Sequence, residues 1–327
     1  MNALKPTAAL LTTLMGFSVS FHATAQDAPV IGGVVFQSDT FMQTLQDGLQ
    51  AAADERGATL ILGNSETDLT KETSILDNLM VRGVDSLIIS PFSADGSVAA
   101  VSRVVKDEIP VVCINTCLNE EAREGIISFI ATRDVDLGTK TGEAAAAFIA
   151  TELDGKAKIG ILNCDTFPEA CVPRKEGFLQ ALSAAGIDVE VVSDQTGYIA
   201  DQALPIAEAM LQANPQINLL WAANEGGTTA HVLAVQSTGL AGEVYVFGTD
   251  MSAQHAQFLQ ADNDILQAVT GQAPYQIGYD AMMLTLDALE GTEPSMNGIV
   301  PTILFSRGDA DAIEEFVETE GRALFAQ

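Results

Sequence analysis

Two pairs of cysteines are the first residues with chemical potential. In VVCINTC, Cys113 and Cys117 flank Asn115-Thr116, and Cys164 and Cys171 bracket DTFPEA. Such pairs can hold a metal, form a redox couple, supply a nucleophile or staple a loop. Zinc calls for CxxC-type spacing or histidines close by, and neither is present. A thiol nucleophile needs a base. Beyond the N-terminal segment the chain holds only His231 and His255, both in segments predicted to be helical, at ordinary surface or packed positions with no partner at ligand spacing. There is no GxxxxGK[ST] loop, no GxGxxG after the first strand, no HExxH and no GxSxG. The sequence therefore predicts no catalytic residue, no metal and no cofactor.

A second set consists of amides, carboxylates and rings that directly follow apolar runs. These are Phe36 to Asp39 and Phe41, Asn115-Thr116, Asn163, Asp165 and Phe167, Tyr198, Asn224-Glu225, Asp250 and Gln272. Planar amides and carboxylates can each engage two neighbouring hydroxyls. Aromatic faces can receive the C–H face of a sugar ring. The inventory suits a neutral polyhydroxy ligand. The competing role for each single Asn or Asp is to cap the helix that follows it.

The apolar runs are short strands alternating with amphipathic helices. VIGGVVF (30–36) precedes a helix whose Phe41, Leu45 and Leu49 recur at i, i+4, i+8. TLILG, VDSLIIS, IPVVCIN and ISFIAT (127–132) complete a first round. A helix from Asp134 to Leu153 opens a second, with KIGILN (158–163), VEVV (189–192), INLLWAAN (217–224), VYVFGTD (244–250) and DILQAVT (264–270). A helix from Tyr275 to Leu289, the strand VPTILF (300–305) and an acidic helix close the chain. Buried strands joined by crossover helices make parallel sheets covered on both faces. Two rounds predict an α/β protein of two doubly wound parallel-sheet lobes. In such sheets ligands bind beyond the C-terminal strand ends, where the polar set lies. Trp221 falls inside a strand and is predicted to be core.

The N-terminus has Lys5, an apolar stretch from about Ala8 to Phe21 and the small-residue pattern Ala23-Thr24-Ala25. This reads as a secretory signal peptide cleaved after Ala25, leaving Gln26 to Gln327 as an exported, periplasmic chain. A net charge of -29 lacks the basic footprint of a nucleic-acid partner. In an exported chain four cysteines favour disulfides, with three connectivities open.

The motifs FMQTLQDGLQAAADERG, LMVRGVDSLIISP, RKEGF (174–178), LLWAANEGG, VFGTD and QAPYQIGYDAM occur in this order. In order and spacing the chain resembles the periplasmic solute-binding proteins of sugar ABC importers, of the ribose- and galactose-binding type. The resemblance implies a three-segment hinge between an N-terminal lobe (29–132 and 273–300) and a C-terminal lobe (133–272 and 301–327). It implies a monomer that closes on one small neutral sugar, polyol or cyclitol and delivers it to an ABC permease in the inner membrane. By position, Asp39, Phe41 and Asn115 would contact ligand from the first lobe, and Tyr198, Asn224, Asp250 and Gln272 from the second. Two departures stand out. Thr116 replaces the arginine expected beside Asn115, and Val172 stands where another ligand-binding arginine is usual, with Arg174 two residues on matching a different family position. The pocket is thus expected to lack guanidinium forks. Arg133 is then the nearest base, read as a hinge ion pair.

With lobes that close, the pairings Cys113–Cys117 and Cys164–Cys171 are preferred, because each closes a local loop and a bridge between lobes would hinder closure. The alternatives in function are a receptor of the same fold feeding a sensor or chemotaxis system, and an exported glycoside hydrolase using two carboxylates.

Overall fold

The apolar face of each strand finds its partner within one local round of chain. In the computed structural model, residues 1, 28–294 and 297–319 are described. The predicted leader lies outside these residues apart from Met1. The first round runs β1 (Val30–Val35), α1 (Thr40–Arg56), β2 (Thr59–Asn64), α2 (Leu69–Val81), β3 (Ser86–Ile89), α3 (Val98–Lys106), β4 (Val111–Ile114) and β5 (Ile126–Ala131). The second runs α4 (Asp134–Glu152), β6 (Lys156–Asn163), α5 (Pro168–Ala184), β7 (Asp188–Thr196), α6 (Ala200–Ala213), β8 (Leu219–Ala222), α7 (Glu225–Thr238), β9 (Tyr245–Thr249), α8 (Ala253–Gln260) and β10 (Leu266–Gly271). The chain ends with α9 (Pro274–Leu289), β11 (Asn297–Ile299), β12 (Ile303–Ser306) and α10 (Ala310–Thr319).

Two six-stranded sheets result, ordered β11-β5-β4-β3-β1-β2 and β12-β10-β9-β8-β6-β7. Helices cover both faces of each. In β1, Ile31 and Val35 pack with Leu45 and Leu49, while Val34 on the opposite face packs with Leu76 and Leu79. Burial on both faces explains why β1, β3 and β4 read as continuous apolar runs rather than alternating ones. The chain passes between the sheets three times, after β5, after β10 and after β11.

Two details differ from expectation. β11 was not anticipated, because its three residues, Asn-Gly-Ile, carry no apolar run. The last strand was expected in a parallel sheet, yet β12 pairs antiparallel with β10. It enters its sheet directly from the neighbouring one with no crossover helix, so nothing reverses its direction.

Helix ends follow their sequence signals. Asp39 caps α1 by accepting from the Met42 N–H at 2.9 Å, and Gly57 ends it at φ 70°. Close helix contact depends on two glycines. A Cβ at Gly48 would meet the Tyr275 carbonyl, locking α1 away from α9, and one at Gly138 would meet the Arg174 carbonyl. The second contact brings α5 onto α4 and so fixes where Arg174 can reach. Trp221 is fully buried and stacks on Phe178, 4.7 Å between centroids.

Candidate ligand-binding cleft

The C-terminal ends of both sheets face one cavity of about 350 Å³ between the lobes. Asp39, Phe41, Asn115, Tyr198, Asn224, Asp250 and Gln272, scattered over more than 230 residues of sequence, all line it. The first three descend from the first lobe and the others from the second or from the crossing after β10.

Matching turns hold the central residues of the two lobes. Asn115 follows β4 with φ 59°, and Asp250 follows β9 with φ 66°. The left-handed conformation is costly for most residues and accessible to Asn and Asp. Its effect is to turn each side chain from strand direction toward the cavity. Around Asn115, the Cys113–Cys117 disulfide closes the loop, with Cα atoms 5.3 Å apart. The Asn115 N–H donates to the Ile130 carbonyl at 3.0 Å. Thr116 also lines the cavity, but its Oγ1 is tied to the first lobe, donating to the Pro91 carbonyl at 2.9 Å. Cys164–Cys171 closes the corresponding loop of the second lobe, with Cα atoms 5.6 Å apart.

The expectation that the cleft lacks a guanidinium is overturned. Arg174 lines the cavity and is buried. Its Nε donates to Asp134 at 2.8 Å, and its Nη1 donates to the Ala223 carbonyl and to Asp250, each at 2.9 Å. Arg133, read as a hinge ion pair, does form one, an exposed pair with Asp136 one helical turn away at the start of α4. Arg174 was not expected in the cleft because its partners lie 40 and 76 residues away in sequence. Gln272 Nε2 donates to the other oxygen of Asp250 at 2.6 Å. Asp250 is thus held from both sides, and each of its oxygens keeps a lone pair for a ligand hydroxyl.

The capping alternative also holds at two sites. Asp39 caps α1 and accepts a second bond from Gln37. Asn224 caps α7 by accepting from the Gly227 N–H at 3.1 Å, while its Nδ2 donates to the Tyr198 carbonyl at 2.8 Å. Asn224 therefore sets the position of Tyr198 as well as lining the cavity.

Aromatic rings join the lobes. Phe167, in the loop after β6, lies 5.6 Å from Phe36 and 6.5 Å from Phe92 of the first lobe, centroid to centroid. On its other side it meets Tyr198 edge-on at 5.6 Å. The Phe92 N–H is held at 2.9 Å by the buried carboxylate of Glu72. The result is an apolar wall beside polar strand ends.

Electrostatics follow from four carboxylates and one buried cation. Burial alone would lower the pKa of Arg174, but Asp250 and Asp134 hold it well above its ordinary value. Burial raises Asp134 despite Arg174. Glu225, the first residue of α7, is pushed up to about 7 by burial and then by Asp250, against a hydrogen bond from Ser252. Poor solvation in the cleft, and secondarily Asp250, raises Asp39. His255 is packed beneath the site. Its Nδ1 donates to the Asp250 carbonyl at 3.1 Å, which leaves Nε2 to accept from Thr229 Oγ1, also at 3.1 Å. Among the described residues no group of three or more His, Cys, Asp or Glu side chains could hold a metal ion.

Residues 34–293 match the family described as "Periplasmic binding protein domain". The chain is 33% identical over 284 residues to the ABC transporter periplasmic-binding protein YphF of Escherichia coli, covering 86% of each. It is 29% identical over 294 residues to the ribose import binding protein RbsB of Salmonella typhimurium, covering 89% of this chain and 94% of that one. Among solved structures, an ABC transporter solute binding protein from Bacillus halodurans with bound myo-inositol shares the fold. Its TM-score is 0.80 at 20% identity, covering 90% of this chain and 99% of that one. With two α/β lobes joined by three crossings, a cleft between them and a family match over most of its length, the chain belongs to the periplasmic binding protein family, whose work is binding rather than catalysis.

Proposed function

We propose that the chain is the solute-binding component of an ABC importer, taking a neutral sugar, polyol or cyclitol into the interlobe cleft. The observation that carries this reading is the lining of the cavity. Amides, carboxylates and rings from both lobes converge there, and the one buried cation is already committed to Asp134 and Asp250. An anionic ligand would meet Asp39, Glu225 and Asp250 without a free counter-charge. A neutral ligand offers hydroxyls to the strand ends and C–H faces to Phe41, Phe167 and Tyr198. The names of the relatives, which include ribose import binding proteins and an inositol-bound structure, support the same class.

The lobes, 29–132 with 273–300 and 133–272 with 301–327, move as two bodies about the three crossings. Ligand touches both only when they close, so binding shifts the population toward the closed form. Asp39, Phe41 and Asn115 contact it from one side, and Tyr198, Asn224, Asp250 and Gln272 from the other. The chain acts as a monomer in the periplasm after cleavage of the leader following Ala25, and its protein partner is an inner-membrane permease.

A thermal-shift screen of ligand-stripped protein against pentoses, hexoses, polyols, cyclitols and amino acids tests this reading. A true ligand at a hundred times its Kd adds about 2.7 kcal/mol of stability. The expected hits are neutral polyhydroxy compounds; Asp250→Ala abolishes them and Asn115→Ala weakens them. Hits confined to charged solutes would overturn the ligand class.

A further inference from the structure

A second cavity of about 270 Å³ adjoins the first on the hinge side. Phe41, Glu225, Asp250 and Gln272 line both, so the two cavities adjoin across a wall of these four side chains. Each is close in size to the lower end of small-molecule sites, roughly 300 Å³.

The lining of the second compartment is assembled from three places. Thr40, Gln43, Thr44 and Asp47 of α1 stand at i, i+3, i+4 and i+7, a single polar face beside the apolar one that buries Met42, Leu45 and Leu49. Alone, such a stripe is an ordinary solvated helix face. Here it is roofed by Met251 to Ala253 of the second lobe and by the crossing at Ala273 to Gln276, and floored by Phe316 and Val317 of α10. Hydroxyls and amides thus face an apolar floor, the same mixed chemistry as in the first compartment. No Lys or Arg lines it, while Asp47 and Glu225 do.

We propose that this hinge-side compartment is a second subsite, and that the ligand is a neutral two-unit carbohydrate, a disaccharide or glycosyl-polyol. One unit occupies the deep cavity and the other lies between α1 and α10. This inference rests on the carbohydrate reading of the cleft and extends it to ligand size. The second unit touches both lobes and a crossing segment, so its contacts form only on closure and add to the affinity of the closed state. The acidic lining without a cation excludes an anionic second unit.

Isothermal titration of the full chain with disaccharides and glycosyl-polyols, each beside its separate component units, tests the proposal. Three variants accompany it. Thr44→Phe and Val317→Trp fill the second compartment, and the half-exposed position of Val317 makes its substitution compatible with folding. Asn115→Ala alters only the first. The expected result is a two-unit ligand bound at least tenfold tighter than either component. Thr44→Phe and Val317→Trp each remove that tenfold advantage and leave single-unit affinity within twofold, while Asn115→Ala weakens both. Single units that bind as tightly as two-unit ligands overturn the proposal and leave the sugar-binding reading intact. So does a two-unit advantage that neither filling variant touches. Absence of binding by carbohydrates of either size overturns both.

Discussion

Arg174 Nη1 stands 2.9 Å from Asp250 Oδ2, and through its Nε the same guanidinium holds Asp134 at 2.8 Å. One buried cation thus ties α5 to the start of α4 and to the turn after β9. Replacing it by an apolar residue strands two carboxylates. Arg174→Met is expected to cost about 3–5 kcal/mol, as for other buried pairs deprived of one partner. Arg174→Lys keeps the charge but loses the fork and falls between. Urea unfolding of the ligand-free protein measures both. A midpoint for Arg174→Met equal to that of the parent would show that the ion pair has no structural weight.

Phe167 is the ring through which the second lobe touches Phe36 and Phe92 of the first. Aromatic pairs contribute about 0.5–1.5 kcal/mol each beyond their area. Phe167→Ala removes two interlobe pairs, and the closed state should lose about 1–3 kcal/mol, or roughly 5- to 150-fold in affinity. The loss belongs mainly in ligand release, since the ring acts after encounter. Stopped-flow release rates equal to those of the parent would remove Phe167 from the closure mechanism.

The Cys113–Cys117 staple spans the turn that carries Asn115 at φ 59°. So short a loop stabilises by about 2 kcal/mol in the chain-entropy account. The double variant Cys113→Ser, Cys117→Ser is expected to lose about that much. It should also bind ligand more weakly, because the turn must then be ordered on capture. Calorimetry in parallel with chemical unfolding separates the two effects. A stability loss with unchanged affinity would confine the bridge to folding.

Glu225 has its pKa pushed up from 4.5 to about 7. Between those values the folded protein keeps a proton that the unfolded chain gives up. Its contribution is therefore fully present below pH 4.5 and is lost as pH rises through about 7. Glu225→Gln removes that loss, so the variant should gain on the parent from pH 5 to pH 8. Parallel stability-versus-pH curves for the two proteins would contradict the shift.

His231 is buried in α7 with neither ring nitrogen paired, and burial lowers its pKa from 6.5 to about 3. The folded protein stays neutral there while the unfolded chain takes up a proton. That contribution is present above pH 6.5 and is lost as pH falls toward 3. His231→Met conserves volume and deletes two unsatisfied polar atoms. It should stabilise the protein by about 1–3 kcal/mol and flatten the acid limb. Destabilisation at neutral pH would mean that the ring has a polar partner.

Alternation of short apolar strands with amphipathic helices, in two rounds, was sufficient to read two doubly wound lobes from sequence. Burial on both faces forces strand residues to be apolar, and this local requirement leaves a local trace. The same logic placed Asn115, Asn224 and Asp250 at strand ends and Trp221 in the core. Two features left no such trace. Arg174 meets Asp134 and Asp250 only after α5 packs on α4 at Gly138 and β9 takes its place in the sheet. An isolated guanidinium in a helical stretch looks like any solvated one. β12 reverses direction because the third crossing delivers it straight from one sheet to the next, and strand direction depends on connection rather than on residue type. The types of residue available to a ligand were fixed by local sequence. Their convergence on one cavity and their ion pairing were decided by long-range packing alone.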